Sequence, residues 1–272
     1  MKTPCGSCVE GKMRKSSFRA HDGKDERKKT ARGQPLPKKP KYDERTWNKH
    51  RAQNEIIFTR IGDLVHMDGI TSPCADEYGN IGALVFKDEA TKKARVFPYK
   101  HRTQVYDIIP ELDRHIQNVF HGKLKIIRTD NAPEFTGKAY ESMRKTLAFT
   151  TQYSAAYEPA QNPEAERNNG VLQNLARSAM LAASSGTSTG DTFWSWAMIH
   201  AAHVRERIGQ KRLGGRTTFQ MLYGYPPDIS NMKVWGCSAW GQVPTARRTK
   251  WDSRATRGIY VGDSPDKKAR MA

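Results

Sequence analysis

Long apolar runs, cysteines and acids are scarce in this 272-residue sequence. No apolar run approaches the roughly 20 residues that a membrane-spanning helix needs, which excludes a helical membrane protein and predicts no membrane partner. The four cysteines (Cys5, Cys8, Cys74 and Cys237) are too few for a disulfide scaffold in a chain of this length and point to a reducing compartment. The first residues, MKTPCGSCVEGKMRK, hold no apolar stretch, so no secretory signal is read there and a soluble, intracellular protein is expected. Hydrophobic residues make up 37% and mean hydropathy is −0.78, so part of the length is expected to be solvated or extended.

Acids are outnumbered, 28 Asp and Glu against 46 Lys and Arg, for a net charge of +18. Such an excess implies a polyanionic partner, most commonly nucleic acid. Residues 1–60 hold 17 Lys/Arg against 7 Asp/Glu and so carry more than half of it. A basic tail can equally be solvated or serve nuclear import. Residues 21–58, with Pro35, Pro37 and Pro40 closely spaced, read as a basic disordered linker behind a short module at 1–20. A core domain is expected over 59–210 and a C-terminal extension with short β segments over 211–272.

Within the core, LVHMDGI (64–70), ALVFKDE (83–89) and ARVFPYK (94–100) are short apolar, β-branched runs with brief connections, as in an antiparallel meander. Residues 103–120 place Val105, Ile108, Ile109, Leu112, Ile116 and Val119 at helical spacing, with Pro110 expected to kink or divide the helix. KLKIIRTD (123–130) reads as a strand, 139–148 as a helix and 149–154 as a short strand. Residues 164–183 and 191–208 read as further helices, the second with Asp191 as its N-cap. The order β-β-β-α-β-α-β-α predicts an α/β fold: a ribonuclease-H-like mixed five-stranded sheet with flanking helices, plus a basic extended N-terminal segment and a small C-terminal extension.

Three acids fall where chemistry is expected. Asp68 lies in the first strand, Asp130 at the end of a later strand and Glu166 at the start of a helix, with 35 residues between it and Asp130. Acids from separate elements can meet at a sheet edge, and carboxylates suit hard cations such as Mg²⁺. Two such metals about 3.5–4 Å apart assist phosphodiester transfer by serving the attacking and the leaving oxygen. Singly, each acid reads equally well as a solvated or helix-end carboxylate.

The surrounding sequences carry a resemblance. HMDGI, RTDNAPEF and YEPAQNPEAERNNGVLQNLARSAM resemble the integrase core of copia-type retrotransposons, and FWSWAMIHAAHVRER, TTFQMLYGYPPDISNMKVWGCSAW and RGIYVGD resemble the stretch that follows it. The resemblance implies a D,D-35-E polynucleotidyl transferase with Asp68, Asp130 and Glu166 as catalytic Mg²⁺ or Mn²⁺ ligands. It implies 3′-end processing and strand transfer of element DNA into target DNA, nuclear action, and a homo-oligomer assembled on DNA. Glu164 fills a variable position of the pattern, Glu166 its acidic one. Two departures replace glycines of the pattern, Pro163 in one loop and Ala132–Pro133 in the other. The competing readings are an inactive nucleic-acid-binding remnant of a retroelement and another ribonuclease-H-like nuclease or transposase.

Around the acids, Asn131, Arg167, Asn169, Gln173 and Arg177 are candidate DNA contacts, Asn169 and Gln173 sharing the helix face of Glu166. Each reads as well as an ordinary turn or helix-surface residue. His66, two before Asp68, is expected to pack or support rather than ligate. Cys5 and Cys8 resemble the second half of an HHCC zinc module whose histidines would lie upstream, so Zn²⁺ is expected only in a longer polyprotein. Cys237 is expected as a packed strand residue.

Overall fold

The computed structural model describes residues 58–154, 163–184, 191–263 and 270–271, all within one compact unit. The Cys5–Cys8 pair and nearly all of the basic linker lie outside the described residues, as does the loop at 185–190.

The meander forms as its alternation dictates. β1 (Val65–Thr71) pairs antiparallel with β2 (Gly82–Asp88), and β2 with β3 (Ala94–Tyr99). Helix α1 (Val105–Phe120) follows and returns the chain to β4 (Ile126–Thr129), parallel to β1. A one-turn helix α2 (Pro133–Thr136) and α3 (Lys138–Leu147) lead to β5 (Thr150–Tyr153), parallel to β4. The sheet order β3-β2-β1-β4-β5, antiparallel on one side and parallel on the other, is the ribonuclease-H-like arrangement. Two long helices follow, α4 (Pro163–Ser184) and α5 (Trp194–Glu206).

Pro110 does not divide α1, which runs continuously from Val105 to Phe120. One missing backbone hydrogen bond is outweighed by the buried stripe of Val105, Ile108, Ile109, Leu112 and Ile116. Asp191 is not the N-cap of α5 either. It opens a separate 3₁₀ turn (Asp191–Phe193), and Phe193 takes the cap position.

Two apolar layers sandwich the sheet because side chains alternate along each strand. Val65, Met67, Leu84 and Phe86 face α1 and α3, packing with Ile109, Leu112, Leu124, Ile127 and Tyr140. Ala83, Val85 and Val96 face the other way, onto Leu172 and Ala176 of α4 and Ala197, Met198 and Ala201 of α5. The C-terminal segment joins this second layer through Trp235, whose indole N–H donates to the Val261 carbonyl at 3.1 Å. Gly236 makes that docking possible. Its φ of +78° disfavours a side chain, and a Cβ there would lie 2.3 Å from the Cβ of Ala183. A short helix α6 (Thr218–Tyr223) and the hairpin of β6 (Ser238–Gln242) and β7 (Ala255–Ile259) complete this end. Two-residue strands β8 (Gly262–Asp263) and β9 (Arg270–Met271) pair beyond it. Cys237 is half-buried in the turn just before β6 rather than within a strand. Among the described residues no helix is long and apolar enough to cross a membrane.

Candidate metal centre

β1 leaves the core at its fourth residue. Val65, His66 and Met67 are buried, and from Asp68 onward the strand is partly or fully exposed. Its parallel partner β4 pairs Val65 with Ile127 and His66 with Arg128. Asp68 and Asp130 each lie two residues beyond the His66–Arg128 pair, so Asp68, midway along β1, stands level with Asp130, the first residue past the end of β4. Strands so paired run about 4.8 Å apart. Asp130 Oδ1 accepts from the Ala132 N–H at 3.3 Å, which turns the chain into α2.

Glu166 comes from the first turn of α4, where the helix dipole favours acids. Asn169, one turn on, is 5% exposed, and its Nδ2 donates to Asp68 Oδ2 at 2.8 Å. That bond ties α4 to β1 and brings the helix to the edge that carries the two aspartates. The Asp68 carboxyl is held above the usual range, first by burial and then by the charges of Asp130 and Glu166; hydrogen bonds from the Gly69 backbone and Asn169 act against them. All three acids therefore lie in one electrostatic neighbourhood. Among the described residues none of the three has an ion-pair partner, and no three His, Cys, Asp or Glu side chains are packed closely enough to hold a metal. Mutual repulsion favours this spread arrangement.

The residues fit a hard divalent cation on two observations. The donor set is carboxylate oxygen, the preference of Mg²⁺ and Mn²⁺. Asn169 Oδ1 is also buried beside Asp68 with no hydrogen-bond partner among the described residues, an acceptor oxygen left unsatisfied at the edge of the acid cluster.

Two of the three replaced glycines, those at Pro133 and Pro163, are absorbed by helix geometry. Pro133 is the first residue of α2 and Pro163 the first of α4, where a missing N–H costs nothing and the fixed φ suits the helix.

The other candidates are placed as follows. Asn131 is exposed and its Nδ2 donates to the Ser154 carbonyl at 3.1 Å, joining the ends of β4 and β5. Arg167 is exposed but pairs with Glu164 at 3.3 Å. Gln173 and Arg177 lie on the exposed surface of α4, Arg177 donating to Asn174. Asn169, considered above as a DNA contact, is instead buried against Asp68. His66 is 2% exposed and pairs with Glu89 at 3.0 Å, a supporting position.

Two features escape a sequence reading. Glu164 forms a cluster with Lys87 at 2.8 Å, Arg167 and Arg212. Second, the β6–β7 hairpin presents exposed aromatic and basic groups together. Trp240, 68% exposed, stands opposite Arg257, and Trp251, 90% exposed, lies beneath the Lys250 ammonium at 5.6 Å. The density of Arg and Lys around Trp251 was the available signal.

The family described as "Integrase core domain" matches residues 59–159. The chain is 27% identical over 202 residues to the retrovirus-related Pol polyprotein from transposon TNT 1-94 of Nicotiana tabacum, covering 74% of this chain and 15% of that protein. It is 25% identical over 214 residues to the corresponding polyprotein from transposon RE2 of Arabidopsis thaliana, covering 78% and 14%. The chain thus spans about one-seventh of these relatives. Among solved structures, the simian T-cell lymphotropic virus intasome in complex with the PP2A regulatory subunit B56 gamma matches with a TM-score of 0.50 and 15% identity, over 75% of this chain and 69% of that one. That likeness shares the fold.

Proposed function

We propose, from the premise that residues 59–159 carry an integrase core related to plant retrotransposon Pol polyproteins, that the chain is a copia-type retrotransposon integrase. Its reaction is metal-dependent 3′-end processing and strand transfer of element DNA into target DNA, carried out in the nucleus by a multimer assembled on DNA. One observation carries the reading: Asp68 and Asp130 stand level on adjacent parallel strands, and the Asp68 carboxyl is raised by burial and then by the charges of Asp130 and Glu166.

Asp68, Asp130 and Glu166 would hold divalent cations, which supply charge neutralisation at the scissile phosphate and activation of the attacking oxygen. The chain's own residues prepare that edge. Asn169 fixes Oδ2 of Asp68. The Asp130–Ala132 bond sets the turn after β4, and Asn131 ties that turn to the end of β5. DNA is gripped by phosphate contacts from exposed Arg and Lys, with Trp240 and Trp251 offering stacking surfaces.

The test is strand transfer by purified protein with Mg²⁺ or Mn²⁺, donor-end oligonucleotides and a target duplex. Joined products that disappear in Asp130→Asn support the reading. Equal products from the mutant sink it, and DNA binding without products from wild type favours a non-catalytic remnant.

A further inference from the structure

We infer that Glu164 is a positioning residue: clamped by Lys87 and Arg212, it sets the rotation of the first turn of α4 so that Glu166 faces the edge carrying Asp68 and Asp130. The inference rests on the reading of that edge as a metal centre.

Residues two apart on a helix point about 200° apart, so Glu164 and Glu166 take opposite sides of α4. The structure follows this geometry. Glu164 and Glu166 flank the buried stripe of Ala165, Asn169 and Leu172: Glu164, its side chain 14% exposed, lies on the Lys87 flank, while the exposed Glu166 lies on the other and is near enough for its charge to act on Asp68. The Glu164 carboxylate accepts from Lys87 of β2, whose side chain is 11% exposed, through a 2.8 Å bond. Arg212, from the 3₁₀ turn Lys211–Leu213, pairs with the same carboxylate from a third element, and Arg167 from α4 itself. The second anchor, Asn169 on Asp68, lies five residues along, about 7.5 Å of helix rise. Two anchors on different strands at different heights leave the helix neither free rotation nor free slide.

The arrangement is more than a surface ion pair. Lys87 lies on the same sheet face as Asp68, since Asp68 pairs with Val85 and His66 with Lys87. Burial lowers the Lys87 ammonium to about 7, helped by the positive charges of Lys92 and Arg212 and opposed by Glu89. Removing one partner of a pair this desolvated leaves the other buried and unpaired. The Lys93–Glu206 pair on α5 is similarly buried, at 3.0 Å, yet it involves neither β1 nor α4 and serves as a matched control.

The experiment titrates Mn²⁺ into the full chain and its variants, with amide hydrogen exchange over residues 163–170 as a readout independent of activity. Glu164→Gln and Lys87→Met are expected to weaken Mn²⁺ binding by about 10-fold, the lower end for groups that orient a ligand. Both should also speed exchange in the first turn of α4. Lys87→Arg should keep near wild-type values, and Glu206→Gln should leave Mn²⁺ affinity unchanged. If Glu164→Gln is too unstable to purify, Lys87→Met carries the comparison, because it leaves Glu164 paired with Arg167 and Arg212. Unchanged Mn²⁺ affinity in both variants overturns the inference while leaving the metal centre standing, and so does an equal loss in Glu206→Gln. Wild-type protein with no Mn²⁺ binding sensitive to Asp130→Asn overturns both together.

Discussion

Two polar clusters adjoin on one face of the sheet, and they are built to opposite rules. In the first, His66, Lys87, Glu89, Lys92, Glu164 and Arg212 interleave cations and anions, with Glu89 bonded to His66 at 3.0 Å and to Lys92 at 2.5 Å. In the second, Asp68, Asp130 and Glu166 gather charge of one sign, with the Asn169 amide as the side chain bonded to Asp68. The first cluster contributes to the fold. The second works against it, because repulsion and burial both raise the free energy of the Asp68 carboxylate. A fold that keeps such an arrangement beside a balanced one stores an electrostatic deficit at one edge, and deficits of this kind mark functional sites.

Substitutions can break or sharpen that contrast. The largest effect is expected for Glu166→Gln, which should lower strand transfer by about 10²–10³-fold, the scale on which one organised electrostatic group acts. Gel-resolved product yield measures it, and retention of more than a tenth of the activity would place Glu166 outside the centre. Asn169→Ala removes the bond to Asp68 and should weaken Mn²⁺ affinity by roughly 10- to 100-fold. Isothermal titration reads the change, and an unaltered binding curve would make Asn169 a packing residue.

In the balanced cluster, burial alone would raise the Glu89 carboxyl, but hydrogen bonds and charge from His66 and Lys92 overcome it and lower it to about 2 from an ordinary 4.5. A depressed carboxyl stabilises the fold above its unfolded value, and that stabilisation is lost as pH falls from 4.5 towards 2. Glu89→Gln should therefore cost about 1–3 kcal/mol at pH 7 and flatten the acid limb of a stability–pH curve from urea unfolding. A parallel curve displaced by a constant amount would assign the loss to packing. Asp68→Asn should show the opposite sign, raising Tm by roughly 2–4 °C in chelator, as about 1 kcal/mol does in a domain of this size. A lower Tm would mean that the acid cluster carries no deficit.

Much of this was legible in the sequence because it is local. Period-two alternation marked the three meander strands, the 3.6-residue stripe marked α1, and acids at a strand end and a helix start marked Asp130 and Glu166. What escaped depends on distant partners. Glu164 looks like a variable surface position until β2 brings Lys87 from 77 residues away. Asn169 shares the helix face of Glu166, which suggested an open surface, yet α4 lies against β1 there and buries it. Pro110 and Asp191 were misread in the same way: local preference predicted a break and a cap, and the packing of α1 and the 3₁₀ turn before α5 overrode both.

The central claim is that the unbalanced cluster, and not its balanced neighbour, takes a divalent cation. Anomalous diffraction from crystals grown with Mn²⁺ tests it most directly. The account predicts a manganese peak within bonding distance of Asp68 and Asp130, absent in Asp130→Asn crystals. A peak at Glu89 or Glu164, or none at saturating Mn²⁺, would contradict it.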